Sequence, residues 1–519
     1  MKLLSSLLLV FALAGNQLLG GCAAQHPHDP VSASATGTSA SDEILSTTDR
    51  LTWGVSLSDF DRVQKSGLSA YRDQQLHPSG PAIKFASVQA QIDAMTISQR
   101  PMSQIVQEME QVRKNADAVV DNDAKKAAQQ EYQQEMNRLA RESASRHVLR
   151  ALYSQHQVLE QMTWFWVNHF NVHQSKSNLR AMVGDYEERA LRTHALGKFR
   201  DLLGAVARHP AMLRYLDNEQ NASGRINENY ARELMELHTL GVDGGYTQRD
   251  VQELARVLTG VGVNLNPANP QIRKELQGFY VRDGLFEFNP NRHDFGAKSL
   301  LGAPIRAKGL AELGEALDRL ARHPSTARFI SRKLATYWLS DDPPADLVNR
   351  MAKEFQGSDG DIARTLGVLF VSPEFAGSEK RKFKDPVHYV VSAVRLAYDD
   401  KPVLNVSPVL NWLNRMGEPL YGRQTPDGYP LSGKAWESPG QMATRFEIAK
   451  AIGSGNAGLF RSDGPQPQQR AAFPQLANAL YYRVIEKKLS TATRTALDQA
   501  ESPQEWNTFL LSSPELMSR

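Results

Sequence analysis

A single cysteine, Cys22, occurs in 519 residues, so no disulfide can close within the chain and its fold must be held by a hydrophobic core. A chain of this length buries a large core, as two or more domains or as one extended helical body. From about Arg50 onward the hydrophobic period is helical. Apolar residues recur three and four apart from Met102 to Val119 and from Ala124 to Phe170, and the polar opening of the second stretch reads as surface. One β-prone stretch interrupts the helices: Phe279-Tyr280-Val281, Arg282-Asp283-Gly284, then Leu285 to Phe288. Asp-Gly between two such runs favours a tight hairpin. The expected fold is mainly α, a large multi-helix body with helical hairpins and one small β-hairpin. Charge narrows the partners: Lys and Arg total 60 against 57 Asp and Glu, a net +3. No long basic stripe with interleaved aromatics stands out, so nucleic acid is not expected.

The first residues read as an export signal. Met1-Lys2 precedes an apolar run from Leu3 to Leu13, and small residues follow at Gly20-Gly21. Gly15, Asn16 and Gln17 break the run well short of the roughly 20 apolar residues a bilayer span needs. Leu19-Gly20-Gly21-Cys22 resembles a lipobox, in which the thiol becomes a thioether to diacylglycerol; an ordinary signal that contains a cysteine is the alternative. Ala23 to Thr48 is rich in Ala, Ser, Thr, Pro and Gly and too poor in large apolar groups to fold. The expected division is a lipoprotein signal peptide over 1–21, a disordered tether over 22–48 and a helical domain over 49–519. The expected location is the cell envelope, anchored by lipid on Cys22. Ala23 in place of Asp points to the outer membrane, facing the periplasm, if the cell is Gram-negative.

Proline punctuates the body. Arg208-His209-Pro210, Arg322-His323-Pro324 and Val371-Ser372-Pro373 each follow one helical segment and open another. Proline fits the first helical turn, where its missing N–H has no partner to lose, and the residue before it serves as a cap. The echo of Ala-Arg-His-Pro at 207 and 321 fits either an old duplication or a turn selected twice by packing.

The densest signal lies between His194 and Gly260. Within Asn227-Glu-Asn-Tyr-Ala-Arg-Glu-Leu-Met-Glu-Leu-His-Thr-Leu-Gly241, Asn227 caps a helix and Gly241 stops it. Thr247 caps the next helix with Asp250 as its capping-box partner, and Gly260 ends it. The linking Val242-Asp-Gly-Gly-Tyr246 has too few oxygen ligands for a calcium loop. At about 100° per residue, Asn229, Arg232, Glu233 and Glu236 share one narrow sector, while Ala231, Leu234, Leu237 and His238 face the other side. Two carboxylates one turn apart beside an arginine suit acid–base work or a metal, with Arg232 orienting an anion. The same residues equally suit a solvated face. His238 reads as a hydrogen-bonded core histidine.

Upstream stands Trp166-Val-Asn-His-Phe170; downstream stand His293-Asp294, His323-Pro-Ser-Thr-Ala-Arg-Phe329 and Ala435-Trp436. In this order, and with the Asn-Glu-Asn-Tyr-Ala-Arg-Glu-Leu run, the chain after its tether resembles the bacterial domain-of-unknown-function family 1800. The resemblance implies no reaction. It implies an exported bacterial protein, often encoded beside a second uncharacterised family that resembles phosphatases and sulfatases, and so a partner.

His169 and His173 are four apart and would share one face of a continuous helix. The Trp164, Phe165, Trp166 and Phe170 cluster reads as core. His293-Asp294 follows the hairpin on a loop, where a polar pair has less reason to be packing, and a hydrogen bond that stabilises the loop is the alternative. Glu233, Glu236, Arg232, His293 and Asp294 are therefore the catalytic candidates, and His169, Glu233, Glu236 and His293 the candidates to hold a divalent metal. Neither a Gly-x-Ser-x-Gly elbow nor a phosphate loop is present. Two functions follow: a scaffold or assembly partner of another exported protein, or a metal-dependent enzyme or redox protein with a Glu/His site.

Overall fold

In the computed structural model, which describes residues 40–377, 382–461 and 473–519, each proline-marked break starts a helix. His209 Nδ1 accepts from the Ala211 amide at 3.1 Å, His323 Nδ1 from the Ser325 amide at 3.2 Å, and the Ser372 hydroxyl from the Phe375 amide at 3.1 Å. These caps open the helices Pro210–Tyr215, Pro324–Trp338 and Pro373–Ala376. Residues 40–519 form one unit, built chiefly of helices. Cys22 and residues 23–39 lie outside the described residues.

Two boundaries differ from the sequence expectation. Residues 40–48, counted with the tether, belong to the helix Ala40–Leu51. Ile44 and Leu45 pack on the core and Thr48 and Leu51 are buried. The apolar face is real but sparse, and averaging over Ser- and Thr-rich neighbours hides it. The stretch from Ala124 to Phe170 is two helices, Asn122–Tyr153 and Gln157–His169. Between them the chain pairs with a remote segment: Lys84 donates to the Tyr153 carbonyl at 3.0 Å and Gln155 to the Ala82 carbonyl at 2.6 Å. Ser154-Gln155-His156 carries no local stop signal, so only the tertiary partner explains the break.

The β element is larger than a hairpin. Val281–Asp283 and Phe286–Phe288 pair antiparallel as expected, but Val261–Val263 pairs on the other side of Phe286–Phe288, giving three strands. Three residues, Val-Gly-Val, are too few to show a period. A second short pair joins Ser299–Leu300 to Ala303–Pro304. Trp164, Phe165, Trp166 and Phe170 are all buried in the main core, as expected. Among the described residues no helix is long and apolar enough to cross a membrane.

Candidate functional site

The polar strip forms on the helix Asn229–Glu236. The Asn227 side chain accepts from the Asn229 amide at 3.0 Å at its start, and Thr247 and Asp250 make the expected capping box on the next helix, Gln248–Val257. Tyr230, Ala231, Leu234 and Met235 are buried. Arg232, Glu233 and Glu236 are half-exposed on the other face. Arg232 is tied down locally, to Glu228 at 3.1 Å and Gln248 at 2.9 Å. Among the described residues the Glu233 carboxylate accepts no such tie. Its carboxyl is raised above the ordinary range by burial first and then by Glu236 and Asp427, with Arg232 pulling the other way.

After Glu236 the chain makes a wide turn before Gly241. The amides of Leu237 and His238 both reach the Glu233 carbonyl, at 2.9 and 3.0 Å. This turn places the His238 carbonyl against the end of the helix Gln157–His169, where His169 Nε2 donates to it at 3.1 Å. With that proton assigned, His169 Nδ1 is an acceptor, and Lys333 Nζ donates to it at 2.8 Å. The His238 ring is fully buried but among the described residues neither of its nitrogens has a hydrogen-bond partner, contrary to the expectation for a core histidine. Burial and Lys333 push it down to about 3. His169 is likewise held well below its ordinary value by burial, then by Lys333.

Lys333 is the unusual member. Among the described residues no carboxylate lies within ion-pair distance of it, and burial lowers its amine to about 8, with Asp427 pulling back up. Asp427 thus acts electrostatically on both Lys333 and Glu233. It sits on the segment 421–429, which is docked onto the same helix end. Asn168 donates to the Tyr429 carbonyl at 2.9 Å, Asn171 to the Arg423 and Thr425 carbonyls at 3.0 and 2.8 Å, and Tyr215 to the Gln424 carbonyl at 2.7 Å.

The other candidates lie elsewhere and are engaged. His293 Nδ1 donates to the Thr259 carbonyl at 2.7 Å and Nε2 stands 3.1 Å from Glu312 Oε1. Lys298 Nζ is 2.7 Å from the other Glu312 oxygen, and all three side chains are at most 5% exposed. Asp294 pairs with Arg256 at 2.8 Å, a hydrogen bond that holds its carboxyl down at about 2. His169 and His173 do not share a helical face, because the helix ends at His169. Among the described residues no three His, Cys, Asp or Glu side chains are grouped to hold a metal. The metal set His169, Glu233, Glu236 and His293 is not gathered for a physical reason: both ring nitrogens of each histidine already serve protein partners.

A family model described as a protein of unknown function, DUF1800, matches residues 46–518. The chain belongs to this family. No curated protein and no solved structure matches it. In this DUF1800 chain the segments that carried the resemblance therefore meet in space: Trp166 to Phe170, Asn227 to Gly241 and the helix after His323 each supply a member of the Lys333 cluster. Lys333 itself was legible as a charge out of place, since Phe329, Ile330 and Tyr337 flank it at helical spacing. Asp427 was not; Thr-Pro-Asp-Gly reads as a turn and nothing more.

Proposed function

We propose that this chain is a lipid-anchored protein of the cell envelope whose helical body carries an acid–base centre, with Lys333 as the working amine, His169 holding it and Glu233 as the companion carboxyl. The observation that supports this reading is the 2.8 Å contact of Lys333 Nζ with a neutral histidine in place of a carboxylate. Lys333 is half-buried, and a lysine drawn out of water without a counter-ion is destabilised in its charged form and becomes a base or nucleophile at moderate pH. Glu233, raised for its own reasons, holds a proton closer to neutrality than a surface glutamate does. An amine whose proton is more easily removed and a carboxyl whose proton is less easily removed, both acted on by Asp427, suit proton transfer on a small polar substrate.

Competitive acetylation across pH 6 to 11, read by mass spectrometry, tests the amine directly. Lys333 is expected to react with a midpoint near 8, and a midpoint shared with the surface lysines sinks the proposal. Stability gives a second readout with a defined sign. Between about 8 and the ordinary 10.5 the unfolded chain binds the proton that the folded chain has lost, so the cost of Lys333 is full at neutral pH and is relieved as pH rises through that window. Lys333→Met is expected to stabilise the protein by on the order of 1–2 kcal/mol at pH 7, with the gain shrinking towards pH 10, while abolishing the protein's activity in cells. A role confined to docking an exported partner predicts instead that Lys333→Met keeps that activity. The anchor is tested separately: wild-type protein labels with palmitate and sediments with membranes, and Cys22→Ser does neither.

A further inference from the structure

A cleft of about 210 Å3 lies between the helices Asn122–Tyr153 and Ser407–Arg415 and the chain at 174–180. Its wall holds two arginines, Arg141 and Arg180, and four side-chain amides, Asn137, Gln174, Asn411 and Asn414, but no carboxylate. Neither arginine has a carboxylate within ion-pair distance among the described residues. Arg180 is instead aimed by neutral acceptors, Asn137 Oδ1 and Gln133 Oε1, both at 2.6 Å, and its buried Nε has no partner. Two guanidiniums without a carboxylate partner on one acid-free wall leave that wall positively charged.

We propose that this cleft binds a monosaccharide-sized anion, a sugar carrying a phosphate or a carboxylate. A guanidinium fork matches either anion with two parallel hydrogen bonds. Where Asn137 turns its oxygen to Arg180, its amide nitrogen is left as a donor, and the amides of Gln174, Asn411 and Asn414 offer both donors and acceptors for hydroxyls. The volume falls below the roughly 300–1,000 Å3 of drug-sized sites, which sets the one-ring limit. Burial lowers the Arg180 guanidinium, so an arriving anion recovers a cost the empty cleft leaves standing.

Isothermal titration of the full chain at low ionic strength, with glucose 6-phosphate, glucuronate, glucose and inorganic phosphate as probes, tests this. At least one of the two charged sugars is expected to bind at least tenfold more tightly than glucose and than inorganic phosphate. Arg180→Gln and Arg141→Gln each lower that affinity at least tenfold with an unchanged melting temperature, and Asn411→Ala lowers it severalfold. Lys333→Met leaves it unchanged, which separates this site from the acid–base centre. Failure of both charged sugars to bind, binding no tighter than inorganic phosphate, or affinity unaltered in both well-folded arginine variants overturns the proposal.

Discussion

Glu312→Ala will cost the fold about 3–5 kcal/mol, the range for removing one partner of a buried charge cluster. Glu312 caps the helix Leu310–Ala321 from its third position, accepting from the Gly309 amide at 3.2 Å. It also faces Lys298, 1% exposed, and His293, fully buried, so its loss leaves a buried ammonium without its counter-ion, on the Asp294 and Gly296 carbonyls alone, beside an imidazole whose Nε2 has lost its partner. The double variant with Lys298→Met should recover most of the loss, because replacing both members of the ion pair by apolar groups removes the desolvation cost of the ammonium with its charge. The pH dependence has a fixed sign. Burial alone would raise the Glu312 carboxyl, but hydrogen bonds from His293 and Lys298 bring it below its ordinary value. Its stabilisation is present above the unfolded value near 4.3 and is lost as pH falls through the folded one. Denaturant melts at pH 7 and pH 4 read both effects. A loss under about 1 kcal/mol, or no rescue by Lys298→Met, removes the account of His293 as a structural residue.

His293-Asp294 was singled out because a polar pair on a loop has little packing to do, and local sequence carries no sign that Glu312 and Lys298 close over it from later in the chain. The helix boundaries at His209-Pro210, Thr247 and Gly260 were legible because caps and stops are local chemistry, repeated at the same offsets. The polar sector of Asn229 to Glu236 was legible because helical geometry fixes which residues share a face. What acts on that sector from outside was not, since Asp427, which also acts on Lys333, arrives from a distant segment. The break at Ser154 and the strand Val261–Val263 failed for the same reason: each exists only through a remote backbone partner. A cluster of pairwise hydrogen bonds between distant segments leaves no period to read.

Gly428→Ala is the sharpest probe of whether the Lys333 centre is a set arrangement. Gly428 has φ +78°, and a Cβ there would stand 2.2 Å from the Asn168 carbonyl oxygen and 2.6 Å from its side-chain oxygen. Left-handed backbone at a non-glycine costs about 1–2 kcal/mol and forcing an extra methyl into a packed site about 1–3, so a loss of about 2–5 kcal/mol is expected. The obstacle is backbone at the helix end that carries His169, which yields less readily than a side chain. Relief must come from the 421–429 segment lifting away, giving up the Asn168 bonds to Tyr429. Asp427 then leaves with it. Asp427 raises both Lys333 and Glu233, so its departure makes Glu233 ionise more easily, and the labelling midpoint of Lys333 moves away from 8 as it loses Asp427 and gains water. Asn168→Ala, which frees the same segment without a clash, should shift Lys333 in the same direction at a smaller cost in stability. If Gly428→Ala melts like the wild type, or destabilises while Lys333 titrates unchanged, then Asp427 does not act on the amine and the centre shrinks to Lys333 and His169 alone.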